Sequence, residues 1–136
     1  MDCNVTWSAP FWDELYSRKH RKPSKRSRQM WDRSILAAST QGEGEDAVYD
    51  PNLTARDIEQ IEMDCVRNAL SALGRAPGEL RLDICHVRRF YVRLGNIIGA
   101  SEGIKTDYIL VQYENNGSVH GRPVTAAYLR SRGAPL

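Results

Sequence analysis

The apolar residues Leu80, Ile84, Val87, Tyr91, Leu94 and Ile98 recur at intervals of 4, 3, 4, 3 and 4. That is the period of one face of an α-helix. It predicts a helix over residues 79–98, with Arg81, Asp83, His86, Arg88, Arg89 and Arg93 largely off the apolar stripe. Gly95, Gly99 and Gly103 then offer places for the chain to turn. The run Tyr108–Tyr113 that follows reads as a strand. Two arrangements fit the stretch: a core helix, a glycine-rich loop and a core strand, or a helix-turn-helix whose turn lies among the glycines.

A chain of 136 residues is one domain with room for a tail. A hydrophobic fraction of 41% supplies a modest core, and no run of 18 apolar residues predicts a membrane span. The first residues, MDCNVTWSAPFW, lack the basic start and apolar block of a secretory signal. Cys3, Cys65 and Cys85 are far apart and form no metal pattern. They read as buried thiols of a reducing compartment, the cytoplasm; if the source is eukaryotic, the basic run from Ser17 to Gln29 reads as a nuclear-localisation signal. No cofactor, metal or membrane partner is expected.

The net charge of +2 conceals segregation along the chain. Residues 18–33 carry a net of +7, residues 43–64 a net of −7, and residues 67–136 a net of +5. The basic run includes Arg18, Lys19, Arg21, Lys22, Lys25, Arg26 and Arg28, is broken by Pro23, and has too few apolar residues to bury. Clustered cations of this kind displace counterions from nucleic acid. Residues 1–29 therefore read as an extended aromatic and basic arm, and residues 30–136 as a single globular domain. Trp7, Phe11 and Trp12 in the arm can dock on the domain or on a protein partner.

Met30, Trp31, Ile35 and Leu36 mark one side of a short helix, and residues 39–52 read as a loop. Thr54, with Asp57 three residues on, is a capping pair for a helix over residues 55–73. Its expected buried face is Ile58, Ile61, Cys65, Val66, Ala69, Leu70 and Leu73. Its solvated side is Asp57, Glu59, Glu62 and Asp64. Near the end, Asn116-Gly117 between two apolar segments is a hairpin signal, and Pro123 places the second strand at an edge or ends it. Thr125 caps a last helix that Gly133 ends. The expected class is α+β: a mostly helical small domain with a C-terminal β-hairpin, in its most specific form a winged helix-turn-helix, carrying a basic N-terminal arm.

Residues 79–110, and within them LGNIIGASEG from Leu94 to Gly103, resemble the helix-turn-helix of sigma-factor promoter-reading domains and of phage late-gene antiterminators. The resemblance implies that Ser101, Glu102, Lys105 and Thr106 face a DNA groove. It also implies that Arg88, Arg89 and Arg93 hold phosphates, so the chain would be a non-enzymatic nucleic-acid-binding protein, a small transcription-associated regulator. A first alternative is a small metal-independent ribonuclease of the microbial toxin type. Its candidates are His120, Arg122, Lys105 and Glu114, because a histidine, a carboxylate and cations supply proton transfer and charge stabilisation. A second is an adaptor, inhibitor or subunit of a larger ribonucleoprotein or polymerase assembly, docking through its aromatic tail.

Overall fold

The computed structural model describes residues 4–17, 20, 47–71 and 78–136. Among these, the elements are β1 (Phe11–Trp12), α1 (Glu14–Ser17), β2 (Val48–Tyr49), α2 (Ala55–Ser71), β3 (Gly78–Leu80), β4 (Val87–Arg93), β5 (Gly99–Ser101), β6 (Ile104–Thr106), β7 (Tyr108–Glu114), β8 (Ser118–Val124) and α3 (Ala126–Ser131). The fold is rich in strands, which corrects the mostly helical expectation.

The decisive segment is residues 78–106. The residues of the apparent helical stripe are distributed over two strands and their connections: Leu80 in β3, Val87 and Tyr91 in β4, and Ile84, Leu94 and Ile98 outside them. Ile84 is 43% exposed, whereas Phe90, which lies off the stripe, is 1% exposed. A period of two explains this: Phe90 and Val92 turn to the core, and Arg89, Tyr91 and Arg93 to the opposite face. Four of the seven residues of β4 are β-branched or aromatic, types that favour an extended chain.

The expected helix-turn-helix is likewise replaced by strands. Gly99 lies in β5, where a Cβ would come within 2.5 Å of both the Val48 carbonyl and the Pro123 ring. Glu102 (φ 54°) and Gly103 (φ 76°) are the two central residues of a tight turn joining β5 to β6. Positive φ at both is the requirement of a type I′ hairpin turn. Residues 79–110 hold no helix, so no winged helix-turn-helix forms.

The main sheet has the order β1-β8-β7-β4-β3; β1 lies parallel to β8 and the other pairs are antiparallel. A second sheet, β2-β5-β6, is joined to its end: the Thr106 hydroxyl donates to the Val124 carbonyl at 2.8 Å. The hairpin is as expected, with β7 and β8 flanking Asn116-Gly117. Strand β1 pairs only with Ser118 and Val119 of β8, so Pro123 needs no ladder donor on that side. The Val48–Tyr49 strand falls where a loop was expected.

Helix α2 begins at the expected capping pair. The Asp57 amide donates to the Thr54 hydroxyl at 3.1 Å, and the Thr54 amide donates to the Asp57 carboxylate at 2.9 Å. That reciprocal bonding holds the Asp57 carboxyl below its ordinary value. The helix packs Ile58, Met63, Cys65 and Val66 against Phe90, Ile109, Val111, Tyr113 and Val119 of the sheet, with Tyr49 and Ile98 in the same core. Leu70, expected inside, is 39% exposed. On the other face of the sheet, α3 buries Leu129 and, with Ala134 beyond it, covers Leu80, Leu110 and Val124. Thr125 caps α3 as expected, accepting from the Tyr128 amide at 3.0 Å.

Within the expected arm, residues 7–13 dock on the domain. Trp7 packs on Tyr113 with ring centroids 5.0 Å apart, and the Tyr113 hydroxyl donates to the Ser8 carbonyl. The Ser8, Phe11 and Asp13 amides donate to the carbonyls of Asn115, Gly117 and Val119 at 2.9, 2.8 and 2.8 Å. The basic residues Arg18, Lys19, Arg21, Lys22, Lys25, Arg26 and Arg28 lie outside the described residues. So do the helix expected near Met30 and the end of the helix expected at Leu73.

Phe90→Ala is expected to cost about 3–5 kcal/mol in urea unfolding, as truncation of a buried aromatic does. Ile84→Ala is expected to change stability by less than about 0.5 kcal/mol. Comparable losses at both positions would restore the helical stripe.

Candidate nucleic-acid interface

Alternation along the strands gives the main sheet two faces of different chemistry. One carries Phe90, Ile109, Val111, Tyr113 and Val119 and is closed by α2. The other carries a polar row across three strands: Arg89 of β4 pairs with Gln112 of β7, and Gln112 pairs with His120 of β8. The adjacent rows on this face are Val87, Glu114 and Ser118 on one side and Tyr91, Leu110 and Arg122 on the other.

Partners hold the row in place. Arg89 Nε donates to Gln112 Oε1 at 3.1 Å. Arg122 Nη2 donates to the Tyr128 hydroxyl at 3.1 Å, its guanidinium carbon 5.2 Å from the centroid of the same ring. Arg132 approaches that ring at 5.2 Å too, which gathers a further cation at the edge of the face. Ser118 Oγ donates to Asp13 Oδ2 at 3.0 Å, tying the N-terminal segment to β8. Tyr16 of α1 stacks on the His120 ring with centroids 3.8 Å apart and planes 28° apart. His120 is 7% exposed and Tyr16 45%.

The arginines of β4 differ in how far they are neutralised. Arg88 forms a two-pronged pair with Glu79, at 3.0 and 2.8 Å, and Arg93 bonds Asp107 at 2.9 Å. Both guanidinium pKa values are raised by these hydrogen bonds. Arg89 and Arg122 meet an amide and a phenol instead and have no carboxylate partner among the described residues. A guanidinium bonded to neutral groups keeps its full charge for an incoming anion.

The structure thus separates the expected site residues. Arg89 and Arg122 share a face with the ribonuclease candidates His120 and Glu114. Arg88 and Arg93 are salt-bridged. Ser101 is buried, and the Thr106 hydroxyl is spent on the Val124 carbonyl. Lys105 lies in β6 of the second sheet, apart from this face, although exposed. No groove-reading helix joins these residues. Gln112, Tyr91, Ser118, Asp13 and Tyr16 were not singled out as site residues. The signal available was alternation in β7, where Tyr108, Leu110, Gln112 and Glu114 share the parity opposite to Ile109, Val111 and Tyr113, which face α2.

Glu62 was expected on the solvated side of its helix and is 0% exposed. Its Oε1 accepts from Trp12 Nε1 at 2.9 Å and its Oε2 from the Tyr49 hydroxyl at 2.6 Å. Gly121 leaves it room, since a Cβ there would stand 3.1 Å from Oε2. Burial, reinforced by the Glu62 carboxylate, raises the Tyr49 phenol well above its ordinary value. The same two causes push the Cys65 thiol up to about 12. Cys65 is a buried free thiol, as expected, whereas Cys85 is disulfide-bonded and not a thiol. This centre holds elements together and is closed to solvent. Among the described residues, no group of three or more His, Cys, Asp or Glu is placed to hold a metal, and no helix is long and apolar enough to cross a membrane.

No protein-family model, curated protein or solved structure matches the chain. Tyr49→Phe removes one donor from the buried carboxylate. It is expected to cost about 1–3 kcal/mol in denaturant unfolding; a cost below about 0.5 kcal/mol would remove this bond from the account of stability.

Proposed function

We propose that the protein binds single-stranded nucleic acid on the face of the main sheet opposite α2. The observation that carries this reading is the pair of guanidinia, Arg89 and Arg122, that no described carboxylate neutralises. They lie on strands either side of β7 and two residues out of step. Strand spacing and rise put their Cα atoms about 12 Å apart. Two cations at that separation suit a chain of phosphates better than one small anion. Half-buried Tyr91, and Tyr128 between Arg122 and Arg132, lie next to them, packed on the Leu80, Leu110 and Val124 cluster. Aromatic faces beside cations are the usual platform for unpaired bases. Gln112 between the arginines offers an amide to a base edge.

Support also comes from the sequence, which places a net charge of +7 over residues 18–33, immediately after the segment that lies along β8. Clustered cations strengthen binding to any phosphate backbone.

Arg89→Ala with Arg122→Ala is expected to weaken binding to a single-stranded oligonucleotide at least tenfold. It should also make the plot of log K against log salt shallower, by about 0.7 for each phosphate that is no longer neutralised. Arg88→Ala is expected to change neither by much, because its charge is already paired. Loss of binding on Arg88→Ala, with the double variant unaffected, would move the interface off this face.

A further inference from the structure

On the same face, we infer that His120 and Glu114 form an acid–base pair that cleaves RNA by internal transfer to the 2′-hydroxyl. The inference rests on the nucleic-acid reading above. His120 lies opposite Gln112, and Glu114 is two residues from Gln112 on the same strand and face. The two are therefore diagonal neighbours across β7 and β8, with backbones separated by roughly 7–8 Å. Side chains rising from such positions can flank one phosphate from two sides. Arg89, diagonal to Glu114, and Arg122, two residues along from His120, place a cation beside each.

The chemistry balances without a co-reactant. The Glu114 carboxylate takes the proton of the ribose 2′-hydroxyl while the 2′-oxygen forms a bond to phosphorus. The bond from phosphorus to the 5′-oxygen breaks, and the His120 imidazolium gives its proton to that oxygen. The products are a 2′,3′-cyclic phosphate and a free 5′-hydroxyl. Arg89 and Arg122 stabilise the charge gathered on the phosphorane oxygens. Proton exchange with water restores Glu114 to the carboxylate and His120 to the imidazolium. Tyr16 covers His120 from a helix of four residues. A base that displaces the Tyr16 ring and stacks in its place would bring its phosphate to the imidazole.

The test incubates the full-length protein, with EDTA present, with a mixed-sequence RNA oligonucleotide and with its 2′-O-methyl analogue. Ends are identified by mass spectrometry, and binding of the analogue is measured in parallel. The expected result is RNA cut to 2′,3′-cyclic phosphate ends, with the analogue bound but intact. His120→Ala and Glu114→Gln should each slow cleavage by about 100-fold or more. His120 is buried and its variant can fail to fold; Glu114 is half-buried, and Glu114→Gln keeps the test decisive. Binding of the analogue without RNA cleavage, or cleavage by Glu114→Gln at the native rate, would overturn this inference alone. Failure to bind either oligonucleotide would overturn the binding reading as well.

Discussion

The carboxylate of Glu62 is the group on which the arrangement of this chain most depends. It is buried, and it accepts hydrogen bonds from Trp12 and Tyr49, so one side chain of α2 joins the N-terminal strand β1 and the strand β2 to the helix. Both strands are two residues long and contribute few ladder bonds of their own. A buried carboxylate is tolerable only while its acceptors are satisfied. The cost of leaving it buried without these donors therefore opposes movement of β1 or β2 away from α2. Gly121, with no side chain at the point of approach, lets the helix come close enough for this geometry.

Helix α2, seated in that way, closes one face of the main sheet with apolar contacts and commits that face to stability. The opposite face is covered in part, by α3 over Leu80, Leu110 and Val124 and by Tyr16 over His120. Arg89, Gln112, Glu114 and Arg122 remain there as half-buried polar side chains on a rigid platform. Charge pairing sharpens the contrast, since Arg88 and Arg93 are neutralised by Glu79 and Asp107 while Arg89 and Arg122 bond to neutral groups. The proposed function follows from this division of labour between faces.

Local signals were legible wherever a short-range rule decided the structure. The Thr54–Asp57 cap, the Asn116-Gly117 hairpin and the Thr125 cap are all bonds within a few residues of sequence. The stripe from Leu80 to Ile98 misled because a spacing of 4, 3, 4 can be threaded through strands and loops when apolar residues are frequent. The β-branched and aromatic content of β4, with Phe90 off the stripe, was the contrary sign. Glu62 was missed because an acidic neighbourhood implied solvent. Yet it stands four residues after Ile58 and three and four before Cys65 and Val66, on the buried face. Its partners Trp12 and Tyr49 lie 50 and 13 residues away, beyond any local pattern. Of the site, His120, Arg122, Glu114 and Arg89 could be named from residue type. Their gathering on one face depends on the β4–β7–β8 register, which pairs residues far apart in sequence.

The most direct test of the two-faced sheet is an NMR titration with a single-stranded oligonucleotide that cannot be cleaved, following backbone amides together with arginine and glutamine side chains. The largest shifts are expected on Arg89, Tyr91, Gln112 and Arg122, with Ile58, Met63 and Val66 of α2 unmoved. Shifts concentrated on the exposed side of α2 or on β5 and β6, with the β4–β7–β8 face silent, would contradict the division of faces.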